Sequence, residues 1–311
     1  MIRPAPLPLL IVAMLPLMSV TAHAQLARTF VSAAGGNDAN DCNRLTPCRT
    51  FQAAHNQTLA NGEITVLDPG GYGAVTITKT LSIINDGVGE AGVLVSGGAI
   101  GITISAGASD VVSLRGLTVK GIGFGGGAGI VLDSGKSLTV ENCVLRNLTG
   151  NGVTFRPLNA GRLLVSNTFV ADNGGDGIAV TSRSPGAVSA VFNRVETHNN
   201  AAHGIVIDSR FGGKVDAVIA NSLVSGSATA GFAAFAGTTA ASLTVVRSTA
   251  TGNGTGIAGL FGANVRVGRS TMTGNFNPWG VASGAVLVSY GDNNIDGNIN
   301  HNIAPATIAK K

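Results

Sequence analysis

Acid and imidazole groups recur at matched places in the middle of this chain. Asp176-Gly177-Ile178 is followed 27 residues later by His203-Gly204-Ile205 and preceded by 25 residues by Asn151-Gly152-Val153. A second set, Arg146, Asp172 and His198, repeats at intervals of 26. An Asp beside a His binds a sugar hydroxyl, holds a metal or moves a proton near neutral pH. Asp172, Asp176, His198 and His203 are therefore the candidate catalytic groups. Asn151, Arg183, Arg210 and Asp208 are the candidate ligand-binding groups. Arg183 and Arg210 each stand six residues past a recurring glycine, where a guanidinium suits an acidic sugar. Asp133 and Asp208 stand four past theirs and are the oxygens on offer to a calcium ion. The alternative is a set of solvated corners, since the turns of a repeating fold face water and attract polar residues.

The elements that must position these groups are repeats. A glycine followed by Ile, Val or Phe appears at Gly129, Gly152, Gly177, Gly204, Gly231, Gly256 and Gly280, at intervals of 23, 25, 27, 27, 25 and 24. Between these marks run alternating apolar segments such as "LTVENC", "LLVSNT", "AVFNRV", "AVIANS", "LTVVRS" and "VRVGRS". Period-two alternation filled by Val, Ile and Thr predicts strands, and Gly, Asn and Asp break it where positive φ or side-chain bonding to the backbone helps. A unit this short cannot bury its own apolar face, but a stack of them can. The expected fold is all-β: a single right-handed parallel β-helix solenoid with a short N-terminal capping helix. A leucine-rich horseshoe would need a helical return, and a propeller longer, aromatic-marked blades. Asn142, Asn167, Asn193 and Asn221 recur at 25, 26 and 28 and are expected to stack amide on amide.

The ends differ from the body. Arg3, the apolar run "LLIVAMLPLM" and Ala22-His23-Ala24 read as an export signal over residues 1–24. Residues 25–63 are expected to form a strand, a disulfide loop and a helical cap. In that cap Thr50 is the N-cap, Phe51, Ala54 and Leu59 face the first coil, and Gly62 ends the helix. Residues 64–297 form the β-helix, and 298–311 a tail or cap. No linker marks a second domain, and nothing after residue 24 is apolar for long enough to span a membrane.

Composition narrows the partners. Removing Arg3 lowers the formal charge from +4 to +3, and the basic residues are scattered, which argues against nucleic acid. Of three cysteines, Cys42 and Cys48 lie six apart in a polar loop and predict a disulfide in an exported chain. Cys143 reads as a buried thiol. Phe124, Phe155, Phe211, Phe232, Phe235 and Phe261 fall in or beside strands and are expected in the core. Tyr72, Trp279 and Tyr290 are the aromatic candidates for the surface.

The segment "RTFVSAAGGNDANDCNRLTPCRTFQAAHNQTLANGEITVLDPGGYG", with Ile64, Val66, Pro69-Gly70 and Tyr72, resembles the opening of pectate-lyase-like right-handed parallel β-helix proteins. The resemblance implies the fold over nearly all of the mature chain. It leaves function open, because that body carries lyases, hydrolases, epimerases and stalks. Hydrolases of this kind show N-T-D, D-D, G-H-G and R-I-K. Here Asn167-Thr168 precedes Phe169, His203-Gly204 follows Ala202, and the other two patterns are missing. The W-x-D-H pattern of calcium-dependent pectate lyases is also missing. The expectation is an exported, periplasmic or secreted module that binds polysaccharide or a cell-surface glycan. A carbohydrate-active lyase or hydrolase acting on an acidic polysaccharide is the first alternative, and an adhesin-like stalk the second.

Overall fold

The structure is a computed structural model that describes residues 25–122, 126–300 and 303–309. The proposed signal and Phe124 lie outside these residues. Strands wind into a right-handed solenoid with two parallel sheets, one 20-stranded and one 9-stranded. One coil shows the plan. Ile130–Ser134 lies in the smaller sheet, Ser137–Glu141 in the larger, and Val144–Arg146 in the larger sheet beyond a corner. Like strands of successive coils then pair in parallel register, as in Ile178↔Ile205↔Phe232↔Ile257. Alternation fills one continuous core, from Phe51 and Ile64 through Phe155 and Phe192 to Leu287.

The recurring glycine is required by close approach between coils. A Cβ at Gly177 would stand 2.5 Å from the carbonyl oxygen of Gly204, and one at Gly204 would stand 2.6 Å from that of Gly231. The same clash recurs at Gly129, Gly152 and Gly231. Positive φ, the other reason the sequence suggested, is not found at these glycines. It falls instead at two corners of each coil. The first corner runs through Asn142, Asn167, Arg194, Asn221, Arg247 and Arg269; the second through Asn147, Asp172, Asn199, Gly226, Gly252 and Gly274.

The expected asparagine stack is corrected by this geometry. Asn193 sits one residue before its corner, so only Asn221 Nδ2 bonds Asn193 Oδ1, at 2.8 Å on the surface, and Asn167 accepts from Arg194 Nε instead. The buried ladder lies one residue past the second corner. Leu148 N–H donates to Asn173 Oδ1, and Asn173 Nδ2 to Asn200 Oδ1. Asn253 and Asn275 continue it with 2.9 and 3.0 Å amide bonds to Asn275 and Asn298. These bonds satisfy backbone and amide groups that would otherwise be buried without partners. A parallel ladder of Ser222, Ser248 and Ser270 follows the first corner, each hydroxyl accepting the backbone N–H of the coil before.

The N-terminal cap is shorter than expected. Thr50 accepts from Ala53 N–H as N-cap, but the helix spans only Phe51–Gln57 and closes at Thr58. Leu59 is exposed and, like Gly62, belongs to the strand Thr58–Val66. Thr58 is β-branched and bonds both Thr29 and the Ala54 carbonyl, which favours extended chain there. His55 replaces Leu59 on the buried face. Cys42 and Cys48 form the expected disulfide. Tyr72 is fully buried, against expectation, and its hydroxyl bonds Asp68. Burial alone would raise the Asp68 pKa. Hydrogen bonds from Tyr72, Ser32 and the Ala33 and Ala34 amides outweigh it and hold the carboxyl down at about 2.

Two outcomes follow from these contacts. Ser227 interrupts the buried ladder between Asn200 and Asn253, and its hydroxyl has no partner among the described residues. Ser227→Asn should restore the missing acceptor and raise stability by about 1 kcal/mol, whereas Asn275→Ala should cost about 2 kcal/mol, both read by thermal unfolding. Asp68 has a depressed folded pKa, so its contribution is present above its unfolded value and lost as pH falls from about 4 towards 2. Asp68→Asn should remove that part of the acid limb in pH-dependent unfolding, and an unchanged limb would contradict the assignment.

Candidate functional site

The smaller sheet turns one side chain in two outward, and its registers set those side chains in columns along the axis. Asn151, Asp176 and His203 form one such column at the entrance to the sheet. Asp176 N–H donates to Asn151 Oδ1 at 2.8 Å, and His203 N–H to Asp176 Oδ1 at 3.1 Å. The His203 ring closes on the same carboxylate, with Nδ1 2.7 Å from Oδ1. A carboxylate only accepts, so Nδ1 carries a proton, and in the neutral form of the ring Nε2 presents a lone pair. Nε2 has no partner among the described residues. Both side chains are about four-fifths shielded, at 16% and 20% exposed.

Asp172 and His198 are not brought together. Asp172 occupies the left-handed corner and accepts from Asn199 Nδ2, while its N–H donates to the His198 carbonyl. His198 pairs in register with Ala171 and turns its ring to Ser225 Oγ, Glu196 and the Phe169 ring. The one-residue offset at the corner separates the two groups that a simple count of intervals aligned.

The far end of the same strands carries the basic groups. Arg156, Arg183 and Arg210 follow strands Val153–Phe155, Ile178–Thr181 and His203–Asp208 of three successive coils. Successive coils of a parallel sheet stand about 4.8 Å apart, so the guanidinium groups form a row along the axis. Asp133 Oδ1 takes Arg156 Nε at 2.6 Å and Arg183 Nη1 at 3.5 Å. Asp208 is buried and grips Arg210 with bonds of 3.0 and 2.7 Å. Those bonds hold the guanidinium above its ordinary pKa against the effect of burial. Asp133 and Asp208 are thus committed to arginines and do not fit a calcium site. Among the described residues no cluster of His, Cys, Asp and Glu could hold a metal.

Three phenylalanines complete the patch and depart from the expected core placement. The Arg210 guanidinium lies 4.9 Å from the Phe235 ring centroid and 5.4 Å from those of Phe211 and Phe261. Phe211 is 66% exposed and Phe261 43%. Phe235 stacks edge-on against both His203 and Phe261, above a small apolar floor of Ala179, Val206 and Ala233. Phe155 and Phe232 are buried as expected. Strand parity could have separated them: Phe232 and Phe235 are three apart in one strand, so one faces in and the other out. Cys143 is buried, and burial pushes its thiol up to about 11, which leaves it inert as a nucleophile.

Comparison with known proteins agrees with this architecture. The family model described as right handed beta helix region matches residues 100–190. No curated protein sequence matches the chain. Among solved structures, pectate lyase Pel9A superposes with a TM-score of 0.62 at 18% identity, covering 93% of this chain and 80% of that one. An alginate lyase from Paenibacillus sp. str. FPU-7 superposes with a TM-score of 0.55 at 13% identity, covering 88% and 97%. At such identities the likeness extends to the fold and not to the activity. The chain is a right-handed parallel β-helix repeat protein with a pectate-lyase-like fold.

Proposed function

We propose that the protein is an exported module that binds acidic polysaccharide along the outer face of its smaller sheet. The observation that carries this reading is the exposed cluster of Arg210 with Phe211, Phe235 and Phe261, continued along the axis by Arg183 and Arg156. Aromatic rings offer flat apolar surface to the faces of sugar rings, and guanidinium groups offer paired donors to carboxylates. A row repeating at the coil spacing suits a polymer lying parallel to the axis. The signal-like residues 1–24 support action outside the cytoplasm, and no helix among the described residues is long and apolar enough to cross a membrane.

A second reading, a lyase or hydrolase, is favoured by one observation. His203 is fixed by Asp176 through Nδ1, with Nε2 making no hydrogen bond among the described residues, an arrangement that in the neutral ring suits accepting a proton. The carboxylates at Asp133 and Asp208 are engaged with arginines, so they support binding more readily than acid catalysis. A stalk would need neither the basic row nor the exposed rings.

Retention of the purified protein on polygalacturonate, alginate and a neutral galactan separates these readings. Acidic polymers should retain it, with retention falling as salt rises. Phe211→Ala with Phe261→Asn, the latter keeping a residue at ease with positive φ, should weaken binding by about tenfold. Equal retention on the neutral polymer, or none on any, would sink the binding proposal. Unsaturated or reducing ends that disappear in Asp176→Asn and His203→Gln would establish the enzyme instead.

A further inference from the structure

A second basic groove lies on the other sheet, on the last coils. It measures about 820 Å³ and is lined by Arg266, Gly268, Arg269, Tyr290 and Asp292, with Ile308 and Ala309 on the far side. Arg266 projects outward from the strand Asn264–Gly268, and Arg269 follows at the left-handed corner. Ile308 and Ala309 on the opposite wall follow the strand Ala306–Thr307, which pairs in parallel with Val286–Ser289.

Three features point to a ligand. Both arginine side chains are exposed and, among the described residues, make no hydrogen bond or ion pair. Arg28, Arg115, Arg156, Arg183 and Arg210 meet a carboxylate; the exposed Arg146 and Arg162 make no ion pair among the described residues either, so what sets this groove apart is two such guanidinium groups beside one tyrosine ring. Next, Arg269 has φ 51 and Arg247, on the preceding coil, φ 46. Asn fills this corner at 142, 167 and 221 and arginine, at a steric cost, at 194, 247 and 269; Arg194 and Arg247 bond Asn167 and Asn221 one coil back, whereas Arg269 has Arg247 there and no such acceptor. Strained residues retained in a groove point to use of their side chains. Finally, Gly268 makes room for an aromatic wall, because a Cβ there would lie 2.9 Å from Tyr290 Cδ2. Asp292 Oδ1 accepts the Arg269 amide at 2.9 Å and fixes the corner without taking the guanidinium.

We infer that this groove is a binding site for a carboxylate-bearing sugar residue. Arg266 and Arg269 would receive the carboxylate, and the Tyr290 ring would pack on the sugar face. The volume suits one or two sugar rings. This site shares no residue with the arginine and phenylalanine face, so either can fail without the other.

Tyr290 makes the test local. The chain has two tyrosines, and Tyr72 is buried far along the solenoid, so fluorotyrosine labelling gives one reporter and one internal reference. Titration of the labelled protein with trigalacturonate should shift the Tyr290 fluorine resonance alone and saturably. The same shift should persist in the Phe211→Ala, Phe261→Asn background. Arg266→Ala with Arg269→Asn, which keeps a corner that asparagine already occupies elsewhere, should weaken the titration by about tenfold or more. Inorganic sulfate tests for a simple anion site, and neutral galactotriose for simple ring stacking. An unmoved Tyr290 resonance would overturn the inference. So would wild-type affinity in the double variant, or equal binding of sulfate or galactotriose.

Discussion

Everything in this molecule depends on how closely one coil can sit on the next. The strands pair only if the chain crosses from the larger sheet into the smaller one without a side chain in the way. The glycines at 129, 152, 177, 204 and 231 meet that constraint, each facing the carbonyl of the glycine one coil on. Beside them the crossing buries polar backbone, and the ladder of Asn173, Asn200, Asn253, Asn275 and Asn298 bonds it from inside. Steric fit and polar satisfaction therefore act at the same turn. A side chain at the glycine would separate the coils, and an apolar residue in the ladder would leave amides unpartnered.

Once the coils are locked, each outward position becomes a column, and function depends on what a column contains. One end of the smaller sheet gathers Asn151, Asp176 and His203, and the other end Arg156, Arg183 and Arg210. Charge is neutralised locally by Asp133 and Asp208, and the two-pronged bond from Asp208 together with the three surrounding rings holds the Arg210 guanidinium in one orientation. Connections between strands are short, which leaves the face open along the axis. An open ridged face is better matched to a long polymer than to a small enclosed substrate.

Much of this was legible in the sequence. The glycine intervals and the alternation give the solenoid, Thr50 and Phe51 the cap, and Cys42 with Cys48 the bridge. Phase was harder to read. Coil lengths vary, and the slack is absorbed at corners where one residue turns left-handed. A slip of one residue there moves a side chain from core to solvent. That is why counting intervals aligns Asn193 with Asn167 although Arg194 holds the matching corner, and why Asp172 and His198 lie on different columns. A reading by residue type puts the strand phenylalanines in the core and so overlooks the patch, whereas parity within Ala230–Phe235 puts Phe232 inside and Phe235 outside. The packing of Tyr72 against Phe51 and its bond to Asp68 were hidden because they join segments with no repeat to align.

Amide hydrogen exchange, with and without saturating oligogalacturonate, measures the central claim most directly. If the smaller sheet is the polymer-binding face, slowed exchange should concentrate in the turns after its strands, at residues 182–184, 209–213 and 236–238. Segments of the larger sheet before residue 240 should stay unchanged. Saturated binding with no slowing in those turns would contradict the account and place the polymer elsewhere on the solenoid.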